Sequence, residues 1–132
     1  MNPPPALALN QIGQICINAH DLDRATKFYR DTLGMKYLFA AGKMAFFDCG
    51  GIRLMLGIPE KPEFDHPSSI LYFKVADIQS AHATLTSRGV VFEIPPTLIA
   101  KMPSHDLWMT FFRDSENNMM SLMCEVARGA TS

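Results

Sequence analysis

The sequence predicts an α+β domain. Two tandem β-α-β-β-β units form curved mixed sheets around a cavity, with the helices on the outer face. Three observations carry this. The order strand, capped helix, glycine, strands is read twice along the chain. Asp21-Leu22-x-x-Ala25 returns as Asp77-Ile78-x-x-Ala81. Alternate side chains in four of the strands sort into one apolar set and one mixed set.

Residues 1–11 hold three consecutive prolines and no periodicity, and read as a flexible arm. The first unit covers about 12–57. Its strand, 12–19, alternates and ends at His20-Asp21. Asp21 caps a helix with Leu22, Ala25, Phe28, Tyr29 and Leu33 on one face, stopped by Gly34. Apolar segments at 35–40, 44–48 and 52–57, broken by Gly42 and Gly50-Gly51, read as an antiparallel meander. Three prolines make 58–68 a linker. The second unit covers about 69–126: a strand at 69–75, a helix capped by Asp77 and ended by Gly89, and a short strand at 90–93. A proline-containing stretch follows at 94–106, then strands at 107–113 and 118–124. Asp114-Ser-Glu-Asn-Asn118 has the composition of a turn, with Asp114 and Glu116 expected in solvent. Residues 127–132 are a tail. The whole of 12–126 is one domain.

Strand parity separates the faces. Ile15, Ile17, Leu54, Leu56, Leu71, Phe73, Val75, Met120, Leu122 and Cys124 form the apolar set that a helix covers. The opposite set contains Gln14, Asn18, Arg53, Met55, Ile70, Tyr72, Met119, Ser121 and Met123. This mixture is too apolar for an ordinary solvent face and suits a partly wet cavity.

Composition narrows the function. The chain has 132 residues, 48% of them hydrophobic, which fits one domain with a real core. Twelve basic residues meet 13 acidic ones with no charged block, so neither nucleic acid nor a membrane surface is an expected partner. No apolar run is long enough to span a bilayer, and the start has no signal-peptide pattern, so a cytoplasmic protein is expected. Cys16, Cys49 and Cys124 form no metal or disulfide spacing and read as buried, inert thiols.

The duplicated unit resembles the vicinal oxygen chelate superfamily, which includes glyoxalase I, extradiol dioxygenases, and bleomycin and fosfomycin resistance proteins. The carrying residues are Ile12 to Asp21, then Leu22-x-x-Ala25-x-x-Phe28-Tyr29, Leu33-Gly34-Met35, and Phe112-Arg-Asp114-Ser-Glu-Asn-Asn118. The late turn departs from the family's D-P-D-G-N, with Asn117 in the glycine's place. The resemblance implies a homodimer and a divalent metal held from four strand positions. Carried over, these are Gln14, Met55, Ile70 and Ser121, where the family has His and Glu. Gln and Ser are weak donors, Met is soft and Ile offers nothing, so no metal and no other cofactor is expected.

No histidine has a second ligand at metal spacing: His20 ends a strand, His82 is on a helix, and His66 and His105 precede strands. His105 is the one candidate general base. Trp108, with Thr110 and Phe112, is either an aromatic wall of the cavity with His105 at its mouth, or a core aromatic. The first expectation is therefore a metal-free protein that binds a small aromatic or apolar molecule, with antibiotic sequestration as one such role. Trp108, Tyr72, Met55, Met119 and Met123 would take its body, and Gln14, Asn18, Arg53, His105 and Ser121 would orient it. The alternatives are a lyase, isomerase or dioxygenase of the same superfamily, metal-dependent or using His105 as base, and a structural or regulatory dimer without ligand.

Overall fold

Two aspartates start the two helices, because each carboxylate takes a backbone N–H that the first turn leaves unpaired. In the computed structural model, which describes residues 7–128, Asp21 accepts from Arg24 N and Asp77 from Ser80 N, each at 3.1 Å. The expectations for residues 1–6 and 129–132 lie outside the described residues. Residues 7–13 carry no regular structure, with Leu7 and Leu9 exposed.

The first unit runs β1 (Gln14–Asn18), α1 (Leu22–Lys27) with a π-helical turn over Phe28–Thr32, β2 (Lys36–Ala41), β3 (Met44–Cys49) and β4 (Ile52–Gly57). A 3-10 turn, Pro62–Phe64, interrupts the linker. The second unit runs β5 (Leu71–Lys74), α2 (Ile78–Ser87), β6 (Phe92–Lys101), β7 (His105–Arg113) and β8 (Met119–Ala127). The sheets have matching orders, β1-β4-β3-β2 and β5-β8-β7-β6. In each, the unit's first and last strands are parallel and the others antiparallel, as a helical crossover requires. Gly34, Gly89 and Asn117 have positive φ, of 72°, 92° and 68°, where chain direction reverses.

One segment differs from expectation. Residues 94–101 are strand, not loop: β6 passes through Pro95 and Pro96 with register shifts against β7. It is an edge strand, so the missing proline N–H groups cost the ladder nothing on its open side.

The apolar parity set lies on the helix-bearing faces, where Ile17, Leu54, Leu56, Phe47, Phe112, Met120, Leu122 and Cys124 are buried in one cluster with Tyr29 of the first unit and Leu85 of α2. Each sheet's other face therefore looks away from a shared core. Polar contacts tie the units on the core side. Tyr29 OH donates to Asp114 Oδ2 at 2.6 Å, Asn118 Nδ2 to Asn18 O at 2.9 Å, and Arg88 to Thr32 O at 2.9 Å.

Asp114 and Glu116 are not solvated, which corrects the sequence expectation. Asp114 is buried and its carboxylate also accepts from the N–H groups of Glu116 and Asn118. The Glu116 side chain is 2% exposed. It accepts from His20 N, Asp21 N and Arg24 Nε, so a turn of the second unit holds the start of the first unit's helix. The Cys16 expectation also changes: this residue is exposed, while Cys49 is half-buried and Cys124 buried. Among the described residues no helix is long and apolar enough to cross a membrane.

Candidate functional site

On the first sheet the open face is built by register. Cys16, Met55, Phe46 and Phe39 lie in one row across β1, β4, β3 and β2. Gln14, Arg53, Asp48 and Lys36 form the adjacent row. Phe39 and Phe46 stack with centroids 4.6 Å apart, and the Arg53 guanidinium lies 5.8 Å from the Phe46 centroid. Gln14 Nε2 reaches only the Met55 sulfur, at 3.7 Å. A hollow of about 490 Å³ borders these rows, lined by Cys16, Met44, Met55, Lys43, Glu60 and Phe64, among others. A second, of about 320 Å³, lies between β1 and residues 64–69. Cys16, Asn18 and Phe64 line both. Asn18 Nδ2 donates to Phe64 O at 2.7 Å and His66 O at 2.9 Å, so this amide pins the linker. Desolvation raises the Cys16 thiol pKa, which keeps the sulfur neutral beside Met55.

On the second sheet the open face carries Tyr72 and Lys74 of β5, Met119, Ser121 and Met123 of β8, and Leu107, Met109 and Phe111 of β7. Tyr72 and Phe111 meet edge to face at 6.1 Å on either side of Ser121, which is fully buried. The Ser121 Oγ–H is spent on the carbonyls of Thr110 and Leu122. Ile70 lies just before β5 and is exposed. Cations here are neutralised: Lys74 lies 3.7 Å from Glu125, and Arg113 is 2.9 Å from Glu93.

The sequence-predicted residues thus divide. Gln14, Asn18, Arg53 and Met55 belong to the first open face. Ile70, Tyr72, Met119, Ser121 and Met123 belong to the second. Trp108 lies on neither open face: it pairs with Cys124 and, half-buried, packs against the core, the placement of a core aromatic. It borders a hollow at the start of α2 instead. His105 shares the second open face's parity but opens β7 opposite Ala127. That is six residues along β8 from Ser121, roughly 20 Å at strand rise. Its Nδ1 meets Ser104 Oγ at 3.1 Å, and its Nε2 lies 3.8 Å from Glu125. Sequence reasoning missed Phe39, Phe46 and Phe111. Carrying the parity of β4 across to β3, where Phe46 faces Met55, would have found the first two.

The four metal positions come as two pairs, Gln14 with Met55 on one open face and Ile70 with Ser121 on the other. Ser121 is fully buried with its hydroxyl proton turned to backbone carbonyls, and Ile70 has no donor atom in its side chain. Among the described residues no three His, Cys, Asp or Glu side chains come together in a way that could hold a metal ion. The donor set does not fit a divalent cation. A separate hollow of about 290 Å³ in the inter-unit core is lined by Leu33, Met35, Phe73, Leu85 and Phe112, with Thr84 its one polar lining side chain, and offers little to orient a ligand.

Comparison with known proteins agrees with this architecture. The structure is similar to a glyoxalase/bleomycin resistance protein/dioxygenase superfamily member from Sphaerobacter thermophilus. That match has a TM-score of 0.75 and 26% identity, covering 90% of this chain and 100% of that one. A glyoxalase/bleomycin resistance protein/dioxygenase from Nocardioides gives a TM-score of 0.72 at 19% identity, over 96% and 93% of the two chains. A lactoylglutathione lyase from Agrobacterium tumefaciens gives 0.71 at 21% identity, over 92% and 95%. The family model for the glyoxalase/bleomycin resistance protein/dioxygenase superfamily matches residues 11–122, and to that superfamily the chain belongs.

Proposed function

We propose that the protein binds a small aromatic or apolar organic molecule without the aid of a metal ion, at a site completed between two copies of the chain. The observation that supports this most is the side-chain chemistry of the two open faces. Metal donors are replaced by Gln14, Met55, Ile70 and Ser121, while Phe39, Phe46, Met55, Tyr72, Phe111 and Met123 supply apolar and aromatic surface. Tyr72 at 46% and Phe39 at 47% exposure are large rings that a ligand or a second copy would cover. The two faces look away from one shared core, so bringing the first open face against the second calls for a partner chain. His105, set far along β7 from Ser121, favours this binding reading over one in which it is the base of an enzyme.

Two measurements test it. Protein equilibrated with zinc, nickel, manganese or ferrous ion and then desalted should retain none in stoichiometric amount; one ion per chain or per dimer would overturn the metal-free reading. Sedimentation should give a dimer, and thermal unfolding with aromatic compounds at saturation should show stabilisation that follows ligand concentration. A monomer at all concentrations would remove the shared site.

A further inference from the structure

We infer that the ligand carries an anionic, carboxylate-like group beside its aromatic or apolar body, and that Arg53 is the residue that selects it. This rests on the binding reading above and names the chemistry of its site.

The argument begins with how the arginines are used. Arg24, Arg30, Arg113 and Arg128 each donate to a carboxylate, and Arg88 donates to a backbone carbonyl. Among the described residues, Arg53 alone of the arginines makes no side-chain hydrogen bond and has no carboxylate within 4.0 Å; its guanidinium lies over the Phe46 ring. A carboxylate is in the right register to pair with it. Asp48 lies directly across from Arg53 on β3. The Asp48 oxygen instead accepts from Gly51 N at 3.1 Å, which closes the hairpin turn. On its other side Arg53 faces Gln14, whose amide is held only by a thioether contact.

A planar cation left free on an aromatic platform, next to an unclaimed amide, is arranged to accept a planar anion by bidentate hydrogen bonds. Lys36, beyond Asp48 in the same row, leaves two cations to one anion there. Met55 points to the same face two residues along β4, about 7 Å away at strand rise. It borders the 490 Å³ hollow with Met44, Cys16 and Phe64. At the hollow's far end Lys43 and Glu60 carry opposite charges, so the surplus positive charge lies at Arg53. The second open face has no such surplus, since Glu125 and Glu93 neutralise Lys74 and Arg113. An anionic head at Arg53 and Gln14, with a flat body over Met55 and toward the hollow, uses each of these features.

Matched probes test the inference by calorimetry: benzoate with benzamide, 2-naphthoate with 2-naphthamide, and indole-3-acetate with indole-3-acetamide. At least one acid should bind about tenfold or more tightly than its amide at low salt. Arg53→Gln should close the gap between acid and amide, with the acid losing far more affinity than the amide, and Arg53→Lys should keep part of the preference. Unchanged thermal unfolding would confirm that the variants fold. Acids and amides binding equally, or an acid preference that survives Arg53→Gln, would overturn the anion inference and leave the binding reading standing. Failure of all six probes at millimolar concentration would count against the binding reading itself, and the inference would fall with it.

Discussion

Replacing Glu116 by Gln probes the contact by which the second unit holds the first unit's helix. The Glu116 carboxylate takes the N–H groups of His20 and Asp21, both at 2.8 Å, and Arg24 Nε at 2.7 Å. Glutamine keeps the shape and one acceptor oxygen, but turns an amide NH2 toward Arg24. A hydrogen bond to a charged acceptor contributes about 1.5–3 kcal/mol and a neutral one about 1 kcal/mol, so the two backbone bonds together lose about 2 kcal/mol. The Arg24 pair adds less than about 1 kcal/mol, because a guanidinium whose side chain is 57% exposed returns to water. The expected loss is about 2–3 kcal/mol, a fall in Tm of about 6–9 °C for a domain of this size. The single tryptophan, Trp108, packs against the core and reports unfolding by its fluorescence. The pH dependence supplies the sharper test. Burial pushes the Glu116 carboxyl up, but the bonds from Arg24, Asp21 and His20 outweigh it and hold its pKa below the usual value. Such a group stabilises the fold above its unfolded pKa of about 4.3, and the contribution is lost as pH falls through the lower folded value. The gap between the native protein and E116Q should therefore be full at neutral pH and shrink progressively below about pH 4. A gap under about 0.5 kcal/mol at neutral pH, or one that does not narrow on acidification, would refute the reasoning.

Trp108→Phe should lower stability by about 1–2 kcal/mol, measured by chemical denaturation followed by circular dichroism, and leave the affinity of an open-face ligand unchanged. A clear loss of affinity would return Trp108 to the site. Gly89→Ala should cost about 1–2 kcal/mol through its φ of 92° alone, since nothing lies within 4 Å of the added carbon. The same change at Gly13, equally open and without a positive φ, should cost little, and equal urea midpoints for the two variants would contradict this.

The fold was legible because its signals are local. Helix starts at Asp21 and Asp77 rest on a carboxylate and an N–H three residues on. The two faces rest on strand alternation, and burial follows that alternation at Ile17, Leu54, Leu56, Met120 and Leu122. The assignment of Trp108 needed one further step. The turn at 114–118 pairs Arg113 with Met119, and counting outward from that pair puts Trp108 opposite Cys124, already in the apolar set. The prolines of β6 misled because proline opposes a central strand but not an edge strand, and edge position is a property of the assembled sheet. The site was legible in part. Gln14, Arg53 and Met55 share a face as parity requires, but that Asn18 spends its amide on the linker and Ser121 its hydroxyl on backbone depends on neighbours that no spacing specifies.

Asp114 and Glu116 show most clearly why the rest was hidden. Their composition is that of a solvated turn, and their burial is set by Tyr29, His20, Asp21 and Arg24, all in the other half of the chain. The repeat does not return the favour. The first unit's equivalent turn, between β3 and β4, closes on itself through Asp48 and Gly51, and α2 is capped by its own Asp77. Three of the side chains that join the units therefore come from one turn, and every tie they make lies on the core side of the sheets. This asymmetry bears on function. A chain that bound its units through their open faces would bury Phe39 and Tyr72 by folding alone. This chain joins its units through their helix-bearing faces and leaves both rings exposed, with Arg53 unpaired beside the first. The same contacts that complete the core thus leave the aromatic surface and the free cation exposed, which is the surface that the proposed ligand site and second copy would use.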